Sequence, residues 1–247
     1  MSKETKTVVV GTLGAGYAAY LHGNGYEKVS GVNVRLKTVC DIKVELAEAL
    51  KERFGYEQVC SDYDELLADP EIDVVDILTP PFNHVQMAIK AMGAGKDVIC
   101  EKPLTGYFGK RGEQNVGNTT PKAFMYQEVL RTMEELRAVM AETGRKLLYA
   151  ENFVYATPVQ KAAEIIRAKK SKILYMKGEE SLKGSSSAVA GEWNKTGGGI
   201  FRYVRFKARP QPCGLLRLRL SRNRQQTPHL AQVPFRGFIH HLHPQAP

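Results

Sequence analysis

The chain has 247 residues, of which 25% are charged and 43% hydrophobic, enough to bury one large core or two modest ones. That argues against a disordered chain and against a small disulfide-stapled scaffold. The formal charge is +9, but residues 201–247 hold nine of the 35 Lys and Arg and none of the 26 Asp and Glu. Residues 1–200 therefore carry 26 basic and 26 acidic groups and read as a neutral globular body, so any nucleic-acid reading of the charge applies to the last 47 residues alone.

Four cysteines (Cys40, Cys60, Cys100, Cys213) lie far apart with no C-x-x-C and no zinc spacing, which predicts a reduced, metal-free protein. The leading Met1–Lys6 runs into a short apolar segment without a signal-peptide core. No apolar run approaches the roughly 18 residues needed to span a bilayer. The expectation is a soluble cytoplasmic protein with no membrane partner.

Short apolar runs alternate with amphipathic segments through the first hundred residues. Thr7–Val10 reads as a strand, followed by a Gly-rich turn and a helix through Tyr20. Leu36–Cys40 is a second strand, reached by a long Gly23–Gly31 connection. Residues 43–54 form a helix with Leu46, Leu50 and Phe54 on one face. Gln58–Cys60 is a strand, and Ser61 caps a helix through Leu67. Val74–Leu78 is a strand, 84–94 a helix ended by Gly93 and Gly95, and Asp97–Cys100 a strand. These strands are continuous apolar runs, as when helices cover both faces of a sheet, so the pattern predicts a doubly wound parallel α/β sheet.

Residues 104–121 have four glycines and no apolar period and read as a surface loop. A long helix follows, with Val129, Met133, Leu136 and Met140 on one stripe. Then come a strand at Lys146–Ala150, a helix over 158–169, a strand at Lys172–Met176 and a Gly- and Ser-rich stretch over 181–199. After Ile200 the Arg:Lys ratio changes from 7:19 to 8:1, and six of twelve prolines and four of six histidines fall beyond it. No periodicity persists there. Two readings compete: a basic arm for nucleic acid or an acidic partner, or translation of a shifted frame in GC-rich DNA.

The first strand leads to Gly14-Ala15-Gly16-Tyr17-Ala18-Ala19, which fits G-x-G-x-x-A. Gly14 permits the tight turn, Gly16 lets backbone approach a pyrophosphate, and Ala19 lets the helix pack closely on the sheet. The phosphates would face free N–H groups where the helix dipole favours negative charge. Asp41 ends the second strand 27 positions after Gly14, against a usual spacing of about 20. A carboxylate there accepts from ribose hydroxyls and repels a 2′-phosphate, so NAD is favoured; Lys43 softens that preference and leaves NADP open. The bland alternatives are a simple tight turn and, for Asp41, a helix N-cap.

A further stretch reads Val74-Val75-Asp76-Ile77-Leu78-Thr79-Pro80-Pro81-Phe82-Asn83-His84, and then Ala94-Gly95-Lys96-Asp97-Val98-Ile99-Cys100-Glu101-Lys102-Pro103. With Gly14-Ala15-Gly16 and Cys40-Asp41, it resembles the Gfo/Idh/MocA oxidoreductases, which include glucose–fructose oxidoreductase and inositol 2-dehydrogenase. Glu151-Asn152-Phe153 and Trp193 before Gly197-Gly198-Gly199 extend the resemblance over about 1–200. It implies a Rossmann domain over 1–150, with 104–121 as an insertion. It also implies a C-terminal α/β domain beginning at 151–200, and a tail over 201–247 expected to be poorly ordered. The implied activity is NAD(P)-dependent hydride transfer at a hydroxyl-bearing carbon of a sugar, cyclitol or related compound.

The resemblance assigns Gly14, Gly16, Tyr17, Ala18, Asp41, Thr79, Pro80, His84, Glu101 and Lys102 to the cofactor, with Thr79, Pro80 and His84 on the nicotinamide side. Out of context His84 reads as a helix-start residue on a local carbonyl. Glu101 and Lys102 follow the fifth strand at the ligand-binding edge of such sheets. Lys102 and Glu101 are the candidate catalytic residues, with Lys102 as the proton shuttle and Glu101 beside it, and Lys102, Asn152 and Trp193 face the substrate. The family's D-x-G-x-H segment falls on Tyr203, Arg205 and Lys207, which match none of it. The chain is therefore expected to have an incomplete substrate domain, impaired activity and no family homo-oligomer interface. The alternative is a non-catalytic dinucleotide-binding regulator.

Overall fold

The computed structural model describes residues 5–110, 112–113, 115–177, 192–197, 216–221 and 230–233. The first compact unit takes in 1–150 together with 187–202, and the second takes in 151–186 and 203–247.

In the first unit, six parallel strands lie in the order β3-β2-β1-β4-β5-β6, and the order reverses between β1 and β4. They are β1 (Thr7–Leu13), β2 (Asn33–Cys40), β3 (Gln58–Cys60), β4 (Val74–Ile77), β5 (Asp97–Glu101) and β6 (Leu147–Ala150). The helices are α1 (Tyr17–Tyr26), α2 (Val44–Phe54), α3 (Tyr63–Ala68), α4 (His84–Gly93), α5 (Val116–Thr119), α6 (Lys122–Thr143) and, returning from later in the chain, α8 (Trp193–Thr196). This is the doubly wound α/β architecture expected from the alternation of apolar runs.

Each strand of the central pair sorts its side chains between two cores. Val9 and Leu13 of β1, Val75 and Ile77 of β4, and Val98 and Cys100 of β5 face α3, α4 and α6, where Leu66, Val85, Ala88, Met92 and Leu136 complete one cluster. On the other face Ala19, Ala47, Leu50, Tyr56 and Phe54 form a second cluster under α1 and α2. Thr12, Asp76 and Glu101 point to that second face, because they alternate with the residues of the first.

Several local expectations shift. Helix α1 continues past Tyr20 through Gly23 to Tyr26, so only a short loop precedes β2. Gly23 is required by packing: a Cβ there would lie 2.6 Å from the Phe54 ring. The buried face of α2 carries Ala47 and Leu50, while Leu46 is 39% exposed. The N-cap of α3 is Asp62, whose Oδ1 accepts the Asp64 N–H at 2.9 Å, not Ser61. The 104–121 stretch contains α5, and its Val116 is fully buried, so apolar contact anchors a segment whose glycines conceal any periodicity.

The second unit holds a 3-10 turn at Asn152–Tyr155, α7 (Thr157–Ala168), and a three-stranded antiparallel sheet ordered β7-β8-β9. Its strands are β7 (Lys172–Lys177), β8 (Leu216–Ser221) and β9 (Leu230–Val233). Two strands thus fall where no regular element was expected. The Leu216-Arg217-Leu218-Arg219-Leu220 alternation has the period of a strand, a signal masked by the arginine-rich composition.

Candidate functional site

The carboxyl ends of β1, β4 and β5 meet at the strand-order reversal, the place where open α/β sheets bind ligands. The Gly14 N–H donates to the Cys40 carbonyl at 2.8 Å, closing the turn out of β1. Gly14 has φ +99°, and a Cβ on it would meet the Leu78 carbonyl carbon at 2.9 Å and its oxygen at 3.0 Å. Only glycine meets both demands. Gly16 is different. It is the N-cap of α1 with φ −78°, and a Cβ built on it meets nothing within 4 Å. No side chain caps this helix and its first turn holds no acidic residue. Tyr17 and Ala18 occupy that first turn, and their N–H groups have no acceptor within the helix, whereas the Ala19 N–H donates to the Gly16 carbonyl at 3.0 Å.

Asp41 closes the same corner. Its Oδ2 accepts the Ala15 N–H at 2.7 Å and its Oδ1 accepts the Lys43 N–H at 2.8 Å. The carboxylate therefore ties the end of β2 to the glycine turn while remaining half-exposed. It is neighbour to the head of α2 rather than its cap, which is Lys43.

The turn after β4 carries Thr79 and Pro80. The Thr79 hydroxyl is buried and has no hydrogen-bond partner, and the Pro80 carbonyl accepts the Asn83 N–H of a 3-10 turn at Pro81–Asn83. His84 begins α4 and is 1% exposed. Its Nε2 lies 2.7 Å from the Thr79 carbonyl and its Nδ1 2.9 Å from the Pro103 carbonyl. Burial pushes its pKa down although both carbonyls pull it up. A neutral ring donates to only one of the two. In this arrangement His84 joins the β4 turn to the Glu101–Pro103 turn, and neither ring nitrogen faces the cleft.

Glu101 ends β5 with its side chain 13% exposed, and Lys102 follows at 43%. The peptide bond between Lys102 and Pro103 is cis. The Glu101 Oε2 accepts the Lys102 N–H at 2.8 Å and lies 3.8 Å from Lys102 Nζ. Burial raises the Glu101 pKa, but His22 and Lys102 outweigh it and hold the carboxyl below the ordinary value.

Trp193 lies with the first unit. Its Nε1 donates to the Tyr107 carbonyl at 2.8 Å, its ring meets Gly117, where a Cβ would come within 2.3 Å, and Lys122 Nζ stands 5.1 Å from the ring centre. The indole is thus packed on the 104–121 stretch. Asn152 opens the 3-10 turn of the second unit, and its side chain lies outside the described residues. Tyr203, Arg205 and Lys207 also lie outside them.

Residues 6–110 match the family profile described as an oxidoreductase family with an NAD-binding Rossmann fold, GFO_IDH_MocA. Over residues 6–110 the chain is thus similar to the Gfo/Idh/MocA oxidoreductases. Levoglucosan dehydrogenase of Pseudarthrobacter phenanthrenivorans is 39% identical over 102 residues, covering 38% of this chain and 26% of that protein. The NAD(+)-dependent scyllo-inositol 2-dehydrogenase of Bacillus subtilis is 40% identical over 94 residues, 38% of this chain and 27% of that protein. The chain thus matches about a quarter of the length of these curated relatives. Among solved structures, a scyllo-inositol dehydrogenase from Lactobacillus casei with bound NAD(H) and scyllo-inositol superposes with a TM-score of 0.54 at 21% identity. It covers 69% of this chain and 43% of that one. A levoglucosan dehydrogenase in complex with NADH and levoglucosan gives 0.52 at 25% identity, covering 69% and 41%.

A dinucleotide diphosphate needs an anion-accepting helix terminus, and the uncapped head of α1 beside the open space at Gly16 fits one. Sequence reasoning missed a second group of residues beneath this surface: His22 and Tyr26 of α1 and Asp76 of β4. The signal was present. Asp76 interrupts the apolar run Val74–Leu78, and a charge at the centre of a covered strand requires a partner. Among the described residues no cluster of His, Cys, Asp or Glu is arranged to hold a metal, and no helix is long and apolar enough to cross a membrane. Cys40, Cys60 and Cys100 are buried free thiols.

Proposed function

We propose that the chain binds a nicotinamide dinucleotide at the head of α1 and works as an oxidoreductase on a hydroxyl-bearing carbon of a sugar or cyclitol. The observation that carries the reading is the pairing of Gly14 and Gly16. One glycine is forced by the fold, and the other leaves unfilled space in front of an uncapped helix terminus. The N–H groups of Tyr17 and Ala18 would hold the diphosphate. The free lone pairs of Asp41 would take ribose hydroxyls, which favours NAD over NADP. The bound nicotinamide supplies a carbon that accepts or returns hydride. Lys102, half-exposed at the sheet edge and paired with Glu101, hydrogen-bonds the substrate oxygen and takes or returns its proton. The substrate class is supported by the levoglucosan and inositol dehydrogenases among the relatives.

Titration with NADH and NADPH tests the reading directly. Measurable affinity for NADH, tighter than for NADPH, is expected. Lys102→Met should leave NADH affinity within a few-fold and lower any polyol-dependent turnover by about 10²-fold or more. No affinity for either dinucleotide would sink the proposal. A second reading, a dinucleotide-binding regulator without turnover, is favoured by Tyr203, Arg205 and Lys207 where the family carries Asp, Gly and His. NADH binding with no polyol oxidation across a substrate panel would select it.

A further inference from the structure

Beneath Glu101 lies a chain of polar side chains that the proposed cofactor contacts do not require. Asp76 is fully buried in β4. Its Oδ2 accepts from Tyr26 Oη at 2.7 Å and lies 2.8 Å from His22 Nδ1. The opposite edge of the same imidazole, Nε2, stands 3.5 Å from Glu101 Oε1. That is long for a hydrogen bond but within ion-pair range. Strand register explains the convergence. Asp76 pairs with Ile99, and Glu101 lies two residues further along β5 on the same face, toward α1. His22, near the middle of α1, fills the space between them.

We propose that His22 is a positioning residue: seated between Asp76 and Glu101, it fixes the Glu101 carboxylate and through it the placement of Lys102. The two oxygens of Glu101 have separate tasks. Oε1 faces His22, while Oε2 accepts the Lys102 N–H and sits 3.8 Å from Lys102 Nζ. An anchored Oε1 leaves Oε2 one orientation, and Lys102 is then met at both its backbone N–H and its Nζ.

Charge follows the same line. Asp76 Oδ1 is buried without a hydrogen-bond partner, so its charge is met mainly by the groups on Oδ2. Burial alone would lower the His22 pKa, but hydrogen bonds and charge from Asp76 and Glu101 raise it to about 10. The groups that face this imidazole are Asp76 of β4 and Glu101 of β5. Tyr26 of α1 shares Asp76, and burial lifts its phenol well above the ordinary value. At neutral pH His22 is therefore an imidazolium seated between the carboxyl groups of Asp76 and Glu101.

The inference rests on the reading of Lys102 as the group that meets substrate, but its test does not need turnover. An Asn side-chain amide takes the place of imidazole Nδ1, and a Gln amide that of Nε2. His22→Asn keeps the Asp76 contact and drops Glu101, and His22→Gln does the reverse. Carbon-13 NMR of Glu101 and nitrogen-15 NMR of His22 in the full chain would follow both titrations. Expected are a His22 ring that stays protonated above pH 8 and a Glu101 midpoint that rises by about one pH unit or more in His22→Asn. His22→Gln should restore at least half of that rise. A purely structural role in satisfying Asp76 predicts the opposite: His22→Asn harmless and His22→Gln the damaging change. A Glu101 midpoint unmoved by either variant, or a His22 ring that titrates near 6.5, would overturn the proposal. If Glu101 follows His22 but the wild-type chain binds no NADH, the positioning role stands and the cofactor reading falls.

Discussion

A methyl group placed at Gly14 or at Gly16 should separate folding from binding. At Gly14 the added Cβ meets only backbone, the Leu78 carbonyl carbon and oxygen at 2.9 and 3.0 Å and the Thr79 nitrogen at 3.1 Å, and φ is +99°. The conformation costs about 1–2 kcal/mol for an L-residue, and the overlap adds about 1–3 kcal/mol because no flexible side chain can retreat. Gly14→Ala is therefore expected to lose about 2–5 kcal/mol. At Gly16 the same atom enters empty space at φ −78°. Alanine is a poorer N-cap than glycine by about 1 kcal/mol, and the reduced freedom of the unfolded chain returns about 0.4–1 kcal/mol. Gly16→Ala should then remain within about 1 kcal/mol of wild type. In the proposed cofactor site that space receives the diphosphate, so Gly16→Ala and more strongly Gly16→Val should weaken NADH by tenfold or more, about 1.4 kcal/mol. Urea unfolding monitored by circular dichroism gives the first quantity, and NADH fluorescence titration gives the second. The reasoning is refuted if Gly16→Val binds NADH as tightly as wild type, or if it destabilises more than Gly14→Ala.

Asp41→Ala strips the buried Ala15 N–H of its acceptor and should cost about 1–3 kcal/mol. In the same variant the affinity ratio of NADPH to NADH should rise about tenfold, and equilibrium binding of the two cofactors measures it. Leu136→Ala, in the fully buried centre of α6, should cost about 2–5 kcal/mol with no change in NADH affinity beyond that due to unfolding. The His22 pKa is higher in the fold than the ordinary 6.5, so its stabilising contribution is complete below that value and fades as pH rises toward about 10. Glu101 is shifted the other way, and its contribution fades as pH falls through the acid range. Urea midpoints between pH 6 and 10 should decline for wild type and decline less for His22→Asn; parallel declines would contradict the assignment.

Residue order alone dictated the alternation of strands and helices, the parallel sheet and the glycine turn, because those depend on local periodicity and on the absence of a side chain. Gln58–Cys60 and the stripe containing Leu136 were legible for that reason. The Leu-Arg alternation of β8 has a strand period too, but the arginine-rich composition around it reads as an irregular tail. The rest needed distant chain segments to meet. Gly23 reads as the start of a long connection, whereas in the fold it lies inside α1 against the Phe54 ring. That the Pro103 carbonyl, 19 residues away, meets the His84 ring is likewise decided by the fold and not by local pattern. Above all, a strand-centre Asp76 announces only that some partner exists. Its partners on α1, 50 and 54 residues earlier, and their reach to Glu101 follow from parallel register and from how α1 crosses the sheet. Local sequence encodes torsion angles and polarity, whereas proximity between titratable groups is a property of packing, and packing is what charges His22.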